Sequence, residues 1–316
     1  MTDIRVVFLG TSEFAVPILR LLVERRYAVA GVVTQPDRPK GRKRELTPPP
    51  VKTEAVRLGL PVLQPPRLKA EEALEDVFRL KPDLIVTAAY GQIVPKALLD
   101  APPLGCLNVH ASLLPKYRGG APIQRAIMNG ESVTGVTIMR MVERLDAGDI
   151  VSQVEVPIGE DDTAGTMTEK LARAGAELLG TTLPDWIAGR IRPVPQREEE
   201  ATYAPNLTRE DEIIRWERPA RDLSCQVRGL HPSPGAYTLY NGDVLKVWAC
   251  IPLDDVESAA EAEPGTVVRV GGEGVDVRCG RGVLRLTQLQ PAGKRPMAAA
   301  DFVRGGRMLL GTVLGA

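Results

Sequence analysis

At 316 residues with 44% hydrophobic side chains, the chain holds enough apolar material for more than one core, and two domains are expected. Forty basic and forty acidic residues cancel, which excludes a whole-molecule pull towards nucleic acid and leaves any polyanion site as a local patch. Four scattered cysteines without a C-x-x-C pair, and only two histidines, exclude a structural zinc cluster, so no metal is expected.

Unpaired thiols suit a reducing compartment, and a cytoplasmic location is expected. The opening residues run into a short apolar strand, not into the apolar core of a signal peptide. No apolar run is long enough to span a bilayer, so no membrane association is expected. No obligatory protein partner is evident.

In chain order, residues 6–10 read as a buried strand ending at Gly10, and 14–25 as a helix that tolerates Pro17 in its first turn. Residues 29–34, 84–89 and 104–109 read as further buried strands with helical patterns between them. This alternation predicts an α/β fold with a doubly wound, mostly parallel sheet, which binds ligands beyond the carboxyl ends of its strands. Residues 163–190 form a long helical pattern with Thr163 as N-cap. The charged, proline-containing stretch at 190–208 reads as a linker between a domain at 1–189 and another at 209–316. Beyond it, a short helix near 219–230 precedes brief strand-like runs at 236–240, 244–249, 265–270, 274–279 and 282–288. Short strands separated by turn signals predict a small β-barrel, with 254–263 as an acidic solvated loop.

Chemistry concentrates at 108–120, N-V-H-A-S-L-L-P-K-Y-R-G-G, and at 145–149, L-D-A-G-D. Residues two apart in a strand share a face, so Asn108 and His110 point to one side where a strand ends. An amide that can hold an oxyanion beside an imidazole that can move a proton suits acyl transfer, and a carboxylate such as Asp146 would orient the ring. Alone, His110 reads as a histidine satisfied by a local hydrogen bond, and Asp146 as a solvated loop acid; the asparagine on its face and the S-L-L-P and R-G-G that follow weigh against that reading of His110. Arg118-Gly119-Gly120 leads into a helix whose free amides could receive an anion. The turn G-T-S-E-F at 10–14 lacks the G-x-G-x-x-G spacing of a nicotinamide site and reads as a simple strand-to-helix turn with Ser12 as a cap. Trp186, Trp216 and Trp248 read as packing residues, and His231 as a turn residue.

The segment 37–45 carries five basic and two acidic residues and reads either as a flexible solvated loop or as a phosphate contact. Lys294, Arg295, Arg304 and Arg307 form a second basic cluster. The 209–316 region nevertheless balances fourteen basic against fourteen acidic residues, so any nucleic-acid surface there depends on segregation of charge.

Taken together, these motifs resemble the folate-dependent formyltransferases. The resemblance rests on F-L-G-T-S-E-F-A-V at 8–16, T-Q-P-D-R-P-K-G-R at 34–42, A-A-Y-G-Q-I-V-P at 88–95, the 108–123 run and L-D-A-G-D-I at 145–150. The 34–39 segment and P-S-P-G-A-Y at 232–237 are similar to the tRNA-directed branch. The resemblance implies a Rossmann-like first domain and an OB-like β-barrel at the C-terminus. It implies 10-formyltetrahydrofolate as co-substrate and initiator methionyl-tRNA as acceptor. It also implies Asn108, His110 and Asp146 as a catalytic trio. Folate contacts would fall at Ser112, Leu113, Leu114 and Pro115, and at the backbone of Gln92, Ile93 and Val94. Contacts to tRNA would fall at Arg38, Lys40, Arg42, Lys43 and Arg44, with Lys294, Arg295, Arg304 and Arg307 as a second set.

Overall fold

Continuous apolar runs place the first strand deep in a sheet. Val6, Val7, Phe8 and Leu9 are fully buried, as expected of a strand covered on both faces. The computed structural model describes residues 2–41, 44–254, 261–304 and 308–315, with residues 2, 3 and 40 described by backbone alone. Arg42, Lys43 and Arg307 lie outside the described residues, as does most of the acidic stretch expected at 254–263.

In chain order the elements begin with β1 (Thr2–Gly10), α1 (Val16–Glu24), β2 (Tyr27–Val33), β3 (Arg38–Lys40), β4 (Glu45–Thr47), α2 (Pro50–Arg57), β5 (Val62–Leu63) and α3 (Glu71–Arg79). They continue with β6 (Leu84–Ala88), α4 (Lys96–Asp100), β7 (Cys106–His110), α5 (Pro122–Met128), β8 (Val133–Arg140), β9 (Ile150–Pro157) and α6 (Ala164–Ile187). The last part holds α7 (Arg209–Glu212), α8 (Ala220–Gly229), β10 (Ala236–Tyr240), β11 (Asp243–Leu253), β12 (Val267–Gly271), β13 (Gly274–Arg278), β14 (Val283–Pro291), β15 (Met297–Ala298) and α9 (Ala299–Arg304).

The larger sheet has the order β5-β2-β1-β6-β7-β8-β9. Strands from β5 to β7 pair in parallel, and β8 and β9 add antiparallel. This is the expected Rossmann-like, mostly parallel sheet. Its order reverses between β1 and β6, which opens a crevice at their carboxyl ends. On one face Val7, Leu9, Val33 and Ile85 pack with Val77 of α3 and Leu98 of α4. On β7 and β8, Val109 and Val136 lie within contact distance of a Cβ at Gly175, so that glycine lets α6 lie close to the sheet. Thr163 caps α6 as expected, its Oγ1 accepting from the Thr166 amide at 3.2 Å.

Proximity divides the chain into two units, the first of residues 1–122, 133–157 and 168–205, the second of 123–132, 158–167 and 206–316. The stretch read as a linker at 190–208 is paired for most of its length within the first unit. Val194 exchanges backbone hydrogen bonds with Ile150, and Thr202 and Ala204 pair with Arg118. The reason is that its backbone groups and polar side chains find partners, which composition does not reveal. The second unit is built on an antiparallel sheet of order β10-β11-β14-β13-β12, with β15 beside β14. Its core includes Trp216, Leu223, Leu245, Val275, Leu286 and Phe302. Trp216 is a packing residue, as read, with its indole N–H donating to Thr238 Oγ1 at 3.0 Å. Among the described residues no helix is long and apolar enough to cross a membrane.

Candidate active site

Asn108 and His110 sit on β7, whose neighbours are parallel β6 on one side and antiparallel β8 on the other. In this register Thr87 lies opposite Asn108 and Thr137 opposite His110. The Thr87 hydroxyl donates to Asn108 Oδ1 at 2.8 Å. With its oxygen so held, the amide keeps Nδ2 as the end free to donate to a ligand.

His110 is buried, and its Nε2 lies 3.0 Å from the Tyr117 carbonyl oxygen. A carbonyl only accepts, so Nε2 carries the proton in the neutral ring and Nδ1 holds the lone pair. Nδ1 faces Asp146 Oδ2 at 3.7 Å, near enough for charge attraction but too far for a direct hydrogen bond. The ring is therefore oriented by the Tyr117 carbonyl, where the sequence pointed to Asp146. The carboxylate stands where a proton arriving at Nδ1 would be stabilised.

Asp146 adopts a left-handed φ of 47° in the loop between β8 and β9, and its Oδ2 accepts from the Gly119 amide at 2.9 Å. Gly119 has φ 127°, and a Cβ there would lie 2.6 Å from the Ala204 carbonyl oxygen. Gly148 is still tighter, since a Cβ would lie 1.7 Å from the Arg140 carbonyl oxygen. The two glycine-bearing motifs thus fold against neighbouring backbone, and that close approach brings the carboxylate beside the imidazole.

Arg118, read from sequence as part of an anion-receiving turn, is instead 1% exposed. It is committed to Gln196 and to Glu198, whose nearest oxygen is 2.7 Å away. Hydrogen bonds from Arg118, with a further one from Arg144, hold the Glu198 carboxyl below its usual range.

The turn at 112–115 is anchored by β8 and β9. Ser112 donates its hydroxyl to the Lys116 carbonyl at 2.7 Å. The Leu114 amide donates to Thr137 Oγ1, and its carbonyl accepts from Gln153. Ser112 and Leu114 are buried, so half-buried Leu113 and Pro115 are the side chains this turn leaves accessible. Gln92 is also occupied, accepting from the Leu68 amide and donating to the Pro65 carbonyl. Beside it Val94 is buried and Ile93 is 85% exposed.

A cleft of about 440 Å³ opens at the carboxyl ends of β1, β2 and β6, lined by Thr11, Gln35, Pro39, Pro49, Ala89 and Tyr90 among others. Its lining includes Arg38 and Pro39, and residues 38–40 pair with 45–47 as the β3–β4 hairpin. Lys52 donates to Asp37 at 2.7 Å and Gln64 to the same carboxylate at 2.8 Å. Those contacts, Gln64 first, hold the Asp37 carboxyl below its ordinary value. Arg38 and Arg44 are exposed, with Arg38 reaching Gln35 at 3.4 Å. In the second unit Lys294 and Arg295 are exposed, and Arg304 is exposed and paired with Asp301. Nothing in the sequence marks Thr87, Tyr117 or Gln196 as a support of the site, and it marks Arg118 for an anion-receiving turn instead. Position 87, opposite Asn108 on the neighbouring strand, follows from strand pairing. The others depend on the fold.

A family model described as formyl transferase matches residues 4–183, and one described as formyl transferase, C-terminal domain, matches 206–307. The methionyl-tRNA formyltransferase of Bacillus subtilis (strain 168) is 58% identical over 312 residues, covering 98% of each chain. That of Geobacillus sp. (strain WCH70) is 56% identical over 315 residues, covering 99% of this chain and 98% of its own. Among solved structures, HypX from Aquifex aeolicus in complex with tetrahydrofolic acid aligns over 96% of this chain and 47% of its own, with TM-score 0.63 and 20% identity. An N-formyltransferase from Helicobacter canadensis, in complex with folinic acid and dTDP-3-aminofucose, aligns over 90% of this chain and 99% of its own. Its TM-score is 0.67 and its identity 17%, a likeness of fold.

Proposed function

Since the chain belongs to the formyl transferase family, we propose that it transfers the formyl group of 10-formyltetrahydrofolate to the α-amine of methionine on initiator tRNA, giving N-formylmethionyl-tRNA for translation initiation. The observation that carries this reading is the pairing of Asn108, its amide oxygen tied back to Thr87, with His110, whose Nδ1 faces Asp146. The full-length relatives supply the acceptor class.

The folate supplies an activated formyl group. The chain offers it exposed Ile93 and the half-buried side chains of Leu113 and Pro115, beside the backbone of Gln92 and Val94. Aliphatic surface next to backbone suits a flat ring with a polar edge, so these residues fit a pterin. Ser112 and Leu114 support that surface through the turn. As the amine attacks, charge develops on the formyl oxygen, and Asn108 Nδ2 donates to it. His110 Nδ1 takes the proton that the amine loses, with Asp146 stabilising the imidazolium, and returns a proton to the departing folate nitrogen. Donors set in advance by the protein supply the electrostatic stabilisation these steps need, so this reading calls for no metal.

Residues 1–189 carry the chemistry in this reading, the 190–208 stretch connects, and 209–316 grip the tRNA. Arg38, Lys40 and Arg44, together with Arg42 and Lys43 of the same basic segment, contact the acceptor end. Lys294, Arg295, Arg304 and Arg307 contact phosphates elsewhere. The test offers the protein 10-formyltetrahydrofolate with methionyl initiator tRNA, glycinamide ribonucleotide or an amino-sugar nucleotide in parallel. Formylation of the tRNA alone is expected. Formylation of only a small-molecule acceptor would overturn the substrate assignment.

A further inference from the structure

The loop that carries Asp146 has little of its own to hold it. Val142, Glu143, Arg144 and Leu145 are exposed, Leu145 at 63%, and Asp146 has a left-handed φ. The loop's apolar side chains, Val142 and Leu145, point to solvent and give the carboxylate no anchor among the described residues. Beside the Gly119 amide on the Asp146 carboxylate, the Arg144–Glu198 pair and the Arg140–Asp149 backbone bond, the loop's own carbonyls are held by Gln196, from the stretch whose composition reads as a linker.

Gln196 Nε2 donates to the Asp146 carbonyl at 2.8 Å and to the Gly148 carbonyl at 2.6 Å. Its Oε1 accepts from Arg118 Nε at 3.1 Å and Nη2 at 2.9 Å. Every polar group of this amide is used, and its orientation is set by charge. The guanidinium has only donors and the two carbonyls only accept. Arg118 is buried and neighbours Gly119, whose amide binds the Asp146 carboxylate. The same stretch braces the other side of the site. The Tyr117 amide donates to Thr202 Oγ1 at 2.9 Å, and the Tyr117 carbonyl is the one that orients His110.

We propose that Gln196 is a positioning residue for formyl transfer, holding the Asp146 loop so that the carboxylate faces His110 Nδ1. The proposal rests on the reading that Asp146 acts in the reaction. Its effect belongs in turnover, because the carboxylate is needed when the imidazole becomes charged and not when substrates bind.

The test is a double-mutant cycle on the full chain, with 10-formyltetrahydrofolate and methionyl initiator tRNA as substrates. It uses the parent, Gln196→Glu, Asp146→Asn and the double variant. Gln196→Glu keeps an oxygen for Arg118 while removing the two donors to the loop. Gln196→Met, which removes donors and acceptor at similar length, serves as the second variant should the first not fold. Either change at Gln196 is expected to lower kcat by about 10- to 100-fold, with KM for both substrates nearly unchanged. In the Asp146→Asn background the same change should lower kcat by less than about twofold.

An equal loss in both backgrounds would overturn the proposal, as would a loss confined to KM. Parent-like kcat for Gln196→Glu in an enzyme that Asp146→Asn impairs would also overturn it. Parent-like kcat for Asp146→Asn itself would instead sink the reading of Asp146 on which the proposal rests.

Discussion

Glu54 ties α1 to α2, and neutralising it should cost stability in a way that depends on pH. Its carboxylate is 6% exposed and is gripped by two arginines. Arg20 donates at 2.6 and 3.0 Å, and Arg57 at 2.6 and 3.0 Å. These hydrogen bonds, Arg20 first, outweigh the burial that opposes them and hold the carboxyl at about 2, against an ordinary 4.5. A gap of about 2.5 pH units corresponds to ~3.4 kcal/mol at neutral pH. The two arginine side chains are 47% and 61% exposed, so solvent screening reduces this to about 1–2 kcal/mol.

The folded carboxyl titrates below the unfolded one. Its contribution is therefore complete above the unfolded value and fades as pH falls through the folded value, between about 5 and 2. Glu54→Gln preserves the shape and removes the charge. Urea denaturation of parent and variant at pH 7, 5 and 3.5 is the assay. The variant should be about 1–2 kcal/mol less stable at pH 7, and the gap should narrow at pH 3.5. A gap that stays constant across this range would refute the electrostatic argument and leave only lost packing.

Asn108→Ala should lower kcat about a hundredfold or more without loss of fold, measured by single-turnover formylation. Turnover within threefold of the parent would remove the oxyanion role. His110→Ala should lose most activity while folate binding, measured by equilibrium titration, is retained. Gly148→Ala places a Cβ 1.7 Å from the Arg140 carbonyl oxygen, so the Asp146 loop must shift. Activity should fall about 100-fold or more with an unchanged circular dichroism spectrum, and parent-like activity would mean the loop need not keep this path. Reversing the charges of exposed Lys294 and Arg295 should raise the KM for tRNA and flatten its salt dependence. Superimposable salt titrations would mark the pair as a solvated face.

The parts of this protein that sequence alone determined are local in origin. Buried runs such as Val6–Val7–Phe8–Leu9 declare strands, because both faces of a parallel sheet must be apolar. The helix capped by Thr163 begins where its side chain can bind a free amide. That Asn108 and His110 share a face follows from the two-residue period of a strand, so half of the candidate site could be read before any fold was known. The antiparallel additions β8 and β9 are only weakly marked in the sequence. The alternation of β9 is present in V-S-Q-V-E-V, but it lies beside a loop whose residues suggest chemistry more than structure. The charged 37–45 segment hid its hairpin for a similar reason, since its pairing is made by backbone and polar groups.

Only the tertiary structure decided what orients the histidine, what holds the carboxylate and where the 190–208 stretch belongs. Tyr117 acts through a backbone carbonyl, which every residue possesses and no side-chain pattern marks. Arg118 and Gln196 are separated by 78 residues, and a charged side chain in a glycine-rich turn looks solvent-bound until the chain returns to bury it. Apolar burial leaves a periodic trace in sequence because it follows the geometry of one helix or strand. Long-range hydrogen bonding between loops leaves none, because the partners are set by where the chain returns and by no repeat within it.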